Sequence, residues 1–333
     1  AIDTTFMASV VEEIASDEYG GRRPFTEGET KTVNYLVNQV KSLGLAPGNG
    51  DSYTQDVPLV EIESIADKLI QVKGGNAVVD LKLIEDYVAQ SPREEGAIEV
   101  KDAELVFCGY GIVAPEYNWN DYEGVDMKGK IAVVLVNDPG YTTGDSSFFK
   151  GKTMTYYGRW TYKFEEAARQ GAAGVLVVHE TGAAGYPWFV VQSSWQGPQQ
   201  GLSGLDRSSD CGIKGWMSLQ KAQSLFEDAG LNITEQIKAA RTPGFKPVSL
   251  KSKADVGLTN TYSECISKNV IGYIEGNKYP DEKLNLESQL NLSKRDMNIH
   301  NSTIIPSPNG FYLPVSTSEQ KYILQEFILQ EFD

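Results

Sequence analysis

The pattern of apolar and polar residues predicts two amphipathic helices at the start of the chain. Apolar residues recur at helical spacing within residues 4–16 and again within residues 29–43. The second helix should begin with a capping box, because Thr26 is followed three residues later by Glu29, and it should end at Gly44. Each helix presents one apolar stripe, so each needs a surface to cover it.

From about residue 53 the pattern changes to short apolar runs that end at Gly, Asn, Asp or Pro, as is typical of strands and turns. The runs "GKIAVVLVND" (129–138) and "GVLVVHE" (174–180) predict buried strands. Apolar residues at helical spacing in 158–170 predict a helix between them, which completes a strand, helix, strand unit. A further helix is expected over 218–229, and a strand over 269–274.

The end of the chain differs in character from the rest. Residues 283–333 contain no alanine and one glycine, and the last stretch repeats the letters ILQEF. At helical spacing the repeat places four apolar residues on one side: Leu324, Phe327, Ile328 and Phe332. We therefore expect an amphipathic helix over about 317–332, which covers the N-terminal helices or links two copies of the chain; the alternative is a frayed terminus.

Charge and composition narrow the range of partners. The 333 residues carry a formal net charge of -15 without a cluster of Lys and Arg, which argues against nucleic acid. No run of about 18 apolar residues occurs, so no membrane span is expected. The chain starts at Ala1 without methionine, as expected for a mature secreted or periplasmic protein with its signal peptide removed, or for a trimmed chain.

The three cysteines form no CxxC pair. Cys108 lies in the apolar run "ELVFCGYG", where a buried thiol acts as a small apolar residue. Cys211 and Cys265 each lie beside a strand, and in an oxidising compartment they could form a disulfide bond. The sequence does not supply the geometry that such a bond requires, so both states stay open.

Several long strings resemble the secreted zinc aminopeptidases that carry an inserted protease-associated domain, a superfamily that includes glutamate carboxypeptidase and transferrin receptor. The strings are "ASDEYGGRRP" (15–24), "LGLAPGNGDSYTQDVPLV" (43–60), "VFCGYGIVAPEYNWNDY" (106–122), "MTYYGRWTYKFEEAARQGAAGVLVVHE" (154–180), "YPWFVVQSSWQG" (186–197) and "SKNVIGYIEGNKYPDE" (267–282).

The resemblance implies an α/β fold in which a β-rich protease-associated domain is inserted in an incomplete peptidase-like domain. Its implied parts are N-terminal helices (1–55), the inserted domain (56–260), the first strand or strands of the peptidase-like core (261–282) and a divergent tail (283–333).

The resemblance stops before the zinc ligands. Family members hold two zinc ions through a His-x-Asp, a bridging Asp, a Glu-Glu pair, another carboxylate and a late His, and none of these positions has a match here. The chain has two histidines, His179 and His300, and neither begins a His-x-Asp. His179 is expected to end a buried strand with a local hydrogen bond, and His300 to lie in a polar loop. We therefore expect no catalytic residue, no metal ligand and no cofactor in this chain, although the family uses zinc.

Two further segments could carry a function. "NDPGYTTGD" could bind calcium through Asp138 and Asp145, or form an ordinary polar turn. The segment 185–201, which we interpret as a loop, combines tryptophans and glutamines that suit a peptide or protein partner, with local packing of the aromatic rings as the alternative. The candidate contact residues are Trp188, Gln192, Trp195 and Gln196.

The sequence thus supports two functional hypotheses. In the first, the chain is a non-catalytic or truncated family member that acts as a binding or assembly module. In the second, it is an incomplete or incorrectly sequenced part of an active di-zinc aminopeptidase. A metal assay on the purified chain separates the two hypotheses.

Overall fold

The computed structural model describes residues 3–274, 279–288 and 320–326, and for the two later ranges it describes the backbone. The chain divides into two compact units, one of residues 1–60 and 264–333 and the other of residues 61–263. Both divisions fall inside long strands, β2 (Thr54–Ala66) and β13 (Val248–Ile274), so no loop or linker separates the units along the chain.

The first unit combines two helices with strands. Its elements are α1 (Thr4–Ile14), a 3-10 helix (Asp17–Tyr19), α2 (Glu27–Ser42), β1 (Ala46–Pro47), the first part of β2, the last part of β13, β14 (Tyr279–Ser288) and β15 (Gln320–Glu326). β1 and β15 pair antiparallel with β13, and β14 pairs parallel with β15. The buried residues of α2 form a small core with β13: Val33, Leu36, Val40 and Val270.

The second unit contains the remaining elements, which we number in chain order. The strands are β3 (Leu69–Val72), β4 (Val79–Lys82), β5 (Tyr87–Gln90), β6 (Ala97–Phe107), β7 (Val113–Ala114), β8 (Trp119–Asn120), β9 (Ile131–Leu135), β10 (Gly174–His179), β11 (Gln199–Leu202) and β12 (Ile213–Ser218). The helices are α3 (Trp160–Arg169), α4 (Thr181–Ala184), α5 (Trp188–Ser194), α6 (Leu219–Asp228) and α7 (Ile233–Ala240), with 3-10 helices at Pro115–Tyr117 and Tyr156–Gly158.

Most strands of the second unit belong to a mixed sheet in the order β11, β2, β13, β6, β9, β10, β12, β5, whereas β3 pairs with β4 and β7 with β8 in two separate small sheets. Its centre is parallel, because β9 pairs parallel with both β6 and β10, and β10 pairs parallel with β12. Every residue of β9 and β10 is buried, as expected for parallel strands that are covered on both faces. The protein is therefore an α/β protein, as predicted.

Most helices and strands lie where the sequence places them. α1, α2, α3 and α6 match the four predicted helices to within two residues at most ends. Thr26 is the N-cap of α2 and accepts a hydrogen bond from the Glu29 backbone N–H at 3.4 Å, while the Glu29 carboxylate accepts one from the Phe25 N–H at 2.6 Å. The predicted strand, helix, strand unit is formed by β9, α3 and β10.

The predicted helix over about 317–332 is wrong for residues 320–326, which form the strand β15. Leu324 faces Gly272 of β13 in register, and β14 pairs with the other side of β15. Pairing along both edges of the segment outweighs its helical periodicity, because strand formation depends on neighbours that are distant in sequence. Phe327, Ile328 and Phe332 lie outside the described residues, so self-association through them stays a prediction.

The apolar face of α2, which we expected the C-terminal tail to cover, is already packed against β13. Leu36 and Val40 of α2 are buried, whereas Phe6 of α1 is 40% exposed.

A second correction concerns residues 188–194, which form the helix α5 rather than a loop. Pro187 stands at the N-cap of α5, a position where its missing N–H costs no hydrogen bond.

Candidate functional site

The polar residues of the second unit gather where its parallel strands end. Tyr110 follows β6, Tyr141 follows β9, Glu180 follows β10, and Arg241 follows α7. We call these four residues the edge cluster. The carboxyl ends of parallel strands are the usual place for ligand sites in open α/β sheets, since the loops that follow the strands converge there.

Arg241 is held in place by two tyrosines. Its Nε donates a hydrogen bond to the Tyr110 hydroxyl at 3.2 Å, and its guanidinium carbon lies 5.8 Å from the centre of the Tyr141 ring. Within the described residues, no hydrogen bond or ion pair engages its terminal nitrogens Nη1 and Nη2. A half-buried guanidinium fixed in this way offers a planar pair of donors, which matches the two oxygens of a carboxylate.

Glu180 supports the same region from the neighbouring strand. It accepts hydrogen bonds from the Tyr141 hydroxyl at 3.0 Å and from the backbone N–H groups of Gly182 at 2.9 Å and Ala183 at 3.1 Å. Burial, with the nearby Glu180 carboxylate, raises the pKa of Tyr141 to about 12, so its hydroxyl keeps the proton that it donates. Burial lowers the pKa of Arg241, but Tyr110, Tyr141 and the Glu180 carboxylate outweigh this effect, so the guanidinium keeps its positive charge.

A buried lysine lies beneath the edge cluster. Lys163 is 0% exposed, and its Nζ donates to the backbone carbonyl of Asn137 at 2.9 Å and to that of Tyr157 at 2.6 Å. It also lies 5.9 Å from the centre of the Tyr110 ring. Burial lowers the pKa of Lys163, and the carboxylates of Asp121 and Asp138 oppose that shift. Lys163 thereby ties the end of β9 to the start of the segment before α3.

Both acidic neighbours of Lys163 are buried and hydrogen-bonded. Asp121 Oδ2 accepts from the backbone N–H groups of Tyr110 and Ile112, each at 3.1 Å. Asp138 accepts from the Gly140 N–H at 3.1 Å and from the Thr155 N–H and hydroxyl at 3.0 and 2.7 Å. Burial raises the pKa of Asp121. These bonds fix the turns after β6 and β9, which carry the two tyrosines.

The calcium alternative for "NDPGYTTGD" gains no support from these contacts. The Asp138 carboxylate is fully buried and bonded to protein donors, while the Asp145 carboxylate accepts from the Ser147 N–H and hydroxyl at 2.8 and 2.6 Å. Each carboxylate thus stabilises its own stretch of backbone, as in an ordinary polar turn.

The four residues named from the sequence as partner contacts make contacts within the unit. Trp188 Nε1 donates to the Glu85 carbonyl at 3.0 Å, and Gln192 Nε2 donates to the Ile84 carbonyl at 2.8 Å. Gln196 donates back to the Gln192 carbonyl at 2.6 Å, and Trp195 meets Trp160 and Phe164 edge to face. These contacts favour local packing, and a role in partner binding stays a prediction for these residues.

His179 ends β10 inside an aromatic cluster. It is buried, and its ring lies 5.5 to 5.9 Å from those of Trp188, Tyr186 and Trp216. Its Nε2 has no hydrogen-bond partner among the described residues. Burial lowers the pKa of His179, which keeps the ring neutral. His300 lies outside the described residues.

The structure agrees with the expectation for Cys108 and leaves the one for Cys211 and Cys265 open. Cys108 is fully buried, and burial raises the pKa of its thiol. The described residues contain no disulfide bond, and a bond between Cys211 and Cys265, which belong to different units, stays a prediction. Cys211 is buried, and burial raises the pKa of its thiol to about 12. A thiol so rarely ionised reacts slowly in disulfide exchange.

A search for metal-binding groups covered the described residues. Among them, no three His, Cys, Asp or Glu side chains lie close enough together to hold one metal ion. None of the described helices is both long and apolar enough to cross a membrane.

Comparisons with known proteins yield structural neighbours of low similarity. No family model matches the chain, and no curated protein matches it. An aminopeptidase from Aneurinibacillus sp. strain AM-1 is 18% identical to this chain, with a TM-score of 0.38. The match covers 86% of this chain and 51% of the aminopeptidase. A peptidase M28 precursor from Shewanella amazonensis is 11% identical to this chain, with a TM-score of 0.38. The match covers 97% of this chain and 66% of the precursor.

A zinc aminopeptidase from Bacillus subtilis is 15% identical with a TM-score of 0.32, and the match covers 84% of this chain and 50% of that one. The chain therefore spans between half and two thirds of the length of these neighbours.

Proposed function

We propose that this chain is a non-catalytic binding module of the kind that the zinc aminopeptidase family carries, and that its edge cluster binds a carboxylate of a peptide or protein partner. The observation that carries the proposal is the guanidinium of Arg241, held by Tyr110 and Tyr141 while its terminal nitrogens have no partner among the described residues. The resemblance of the long sequence strings to that family supports the choice of class.

The rigidity of the cluster is the second support. Binding a carboxylate requires that an arginine lose side-chain freedom, and here Tyr110 and Tyr141 already restrict it. The buried ammonium of Lys163 holds the backbone beneath the tyrosines. The conformational entropy of the Arg241 side chain is therefore lost during folding rather than on binding, which strengthens the binding of the partner.

A peptide-binding assay tests this function. The probe is a fluorescein-labelled alanine peptide that contains glutamate, compared with the same peptide in which glutamine replaces glutamate. The purified chain should bind the glutamate peptide at least tenfold more tightly. Arg241→Lys keeps the charge but loses the planar donor pair, so it should reduce that preference. Lys253→Gln, which removes an exposed ion pair with Asp102, is the matched control. Equal binding by wild type and Arg241→Lys would contradict the proposal.

The rival function, an active di-zinc aminopeptidase, is tested on the same preparation. We expect neither stoichiometric zinc by elemental analysis nor turnover of aminoacyl-nitroanilides, because the chain has two histidines and no His-x-Asp. Zinc near one or two ions per chain, together with turnover that a chelator abolishes, would establish the rival function instead. Export from the cytoplasm remains part of the proposal and is tested by fractionating the cells that produce the chain.

A further inference from the structure

A second site of a different kind lies at the opposite end of β9. A cavity of about 390 Å³ is lined there by polar and apolar residues: Glu104, Val106, Glu123, Gly124, Val125, Lys130, Lys246, Pro247 and Ser249. Lys130 directly precedes β9, whereas the edge cluster follows it. The cavity and the edge cluster are therefore separate features of the second unit.

The charged lining of the cavity consists of two ion pairs. Lys130 Nζ lies 3.0 Å from Glu104 Oε2, and Lys246 pairs with Glu123. The Ser249 hydroxyl donates to Glu104 Oε1 at 2.6 Å. The Ser249 hydroxyl, followed by Lys130, lowers the pKa of Glu104, so this carboxylate stays ionised well into the acidic range.

Each pair leaves capacity for a ligand. An ammonium group has three N–H donors, and within the described residues Lys130 and Lys246 each use one of them, for a carboxylate of the lining. A carboxylate accepts about four hydrogen bonds, so Glu123 retains acceptor sites as well. The walls thus offer donors of positive charge and acceptors of negative charge side by side, with Val125 and Pro247 as an apolar surface between them.

We infer that this cavity binds a small zwitterion, namely a free amino acid or a dipeptide. The ligand carboxylate would lie on the lysine ammonium groups, its ammonium on the glutamate carboxylates, and its side chain against Val125 and Pro247. A singly charged ligand would interact favourably with only one of the two kinds of wall charge. A cavity of about 390 Å³ lies within the usual range of small-molecule sites.

The arrangement favours a zwitterion over an anion for an electrostatic reason. The two lysines and two glutamates sum to zero charge, so the cavity has no net attraction for an ion of either sign. A zwitterion instead aligns its own dipole with the two opposite charges of the lining. Binding should therefore weaken whenever either end of the ligand loses its charge.

Calorimetric titration with leucine tests the inference, with leucinamide and N-acetyl-leucine as ligands that each lack one charge. Leucine should bind with millimolar affinity, and each analogue at least tenfold more weakly. Lys246→Met and Glu123→Gln should each weaken leucine binding by a similar factor. Lys82→Met, which breaks the exposed pair with Glu85 outside the cavity, should leave it unchanged.

Two outcomes would overturn the inference. One is the absence of saturable leucine binding at millimolar concentration. The other is equal binding of leucine and both analogues, which would indicate an apolar contact without recognition of charge. A shift of the Gly124 and Val125 amide signals in the NMR spectrum locates any binding that is observed, and shifts confined to other residues would also reject this cavity.

Discussion

The two ends of β9 carry the same kinds of charge in different surroundings. At the carboxyl end, Lys163, Asp121 and Asp138 are completely or almost completely buried. At the amino end, the side chains of Lys130 and Glu104 are about 30% exposed and those of Lys246 and Glu123 about 60% exposed. Because water screens an exposed pair and cannot reach a buried one, the first group holds the fold together while the second remains available to a ligand.

The strongest test of this comparison is Lys163→Met. The substitution keeps most of the side-chain volume but leaves the carbonyls of Asn137 and Tyr157 without a donor, and Asp121 and Asp138 without a counter-charge. Removing one partner of a buried charged group typically costs about 3 to 5 kcal/mol. We expect a loss of that size in the free energy of unfolding, measured with urea.

The pH dependence of the same variant sharpens the test. Burial raises the pKa of Asp121 in the folded state, and the positive charge of Lys163 opposes this shift. The folded chain thus retains a proton on Asp121 that the unfolded chain releases, and stability falls as the pH rises above the ordinary pKa of 3.8. Without Lys163 the folded chain keeps this proton to a higher pH than the wild type does, so the fall extends further. The variant should lose more stability at pH 8 than at pH 6. A loss below about 1 kcal/mol at both pH values would contradict the assigned role of Lys163.

A smaller effect on the free energy of unfolding is expected at His179, the buried last residue of β10. Burial lowers its pKa in the folded state, so below the ordinary value of 6.5 the unfolded chain binds a proton that the folded chain does not. Stability should therefore fall as the pH decreases, by up to about 1.4 kcal/mol at one unit below that value.

His179→Phe should remove this part of the pH dependence, because phenylalanine fits among Trp188, Tyr186 and Trp216 and does not titrate. Urea midpoints at pH 7.5 and 5.5 compare the two proteins, and His300 contributes equally to both. Parallel changes in the two midpoints would show that His179 titrates in the folded state as it does in the unfolded state.

The smallest effect belongs to the exposed end of β9. Lys246→Met breaks the pair with Glu123, whose side chain is 60% exposed, and exposed pairs contribute about 0 to 1 kcal/mol. The free energy of unfolding should change by less than about 1 kcal/mol. A loss comparable to that of Lys163→Met would show that the two ends do not differ in the way their burial indicates.

The sequence predicts this fold best where the determining contacts are local. α3 and the strands beside it follow from periodicity within about 50 residues, and their parallel pairing follows from their order. Lys163 was missed because charged residues are normally placed in solvent. A signal was present, since Lys163 lies three residues after Trp160 and four before Ala167, on the apolar face of α3.

Other features depend on contacts that no local pattern encodes. The hydrogen bond of Arg241 joins it to Tyr110, which lies 131 positions away. β15 is a strand because of its partners β13 and β14, although its repeat has helical spacing. The helix α5 follows a proline that the sequence pattern marks equally well as a turn, and it is fastened through Trp188 and Gln192 to backbone more than 100 positions earlier.

The strand β13 also has a consequence for the order in which the chain is made. Its pairing with β6 joins Val248 to Phe107, so the two partners leave the ribosome roughly 140 residues apart. At synthesis rates of about 5 to 20 residues per second, β6 waits on the order of 10 to 30 seconds for that neighbour. During this interval β9 becomes available on its other side, while the edge reserved for β13 stays open. Proteins that bind nascent chains therefore have a defined period in which to protect this edge of the sheet.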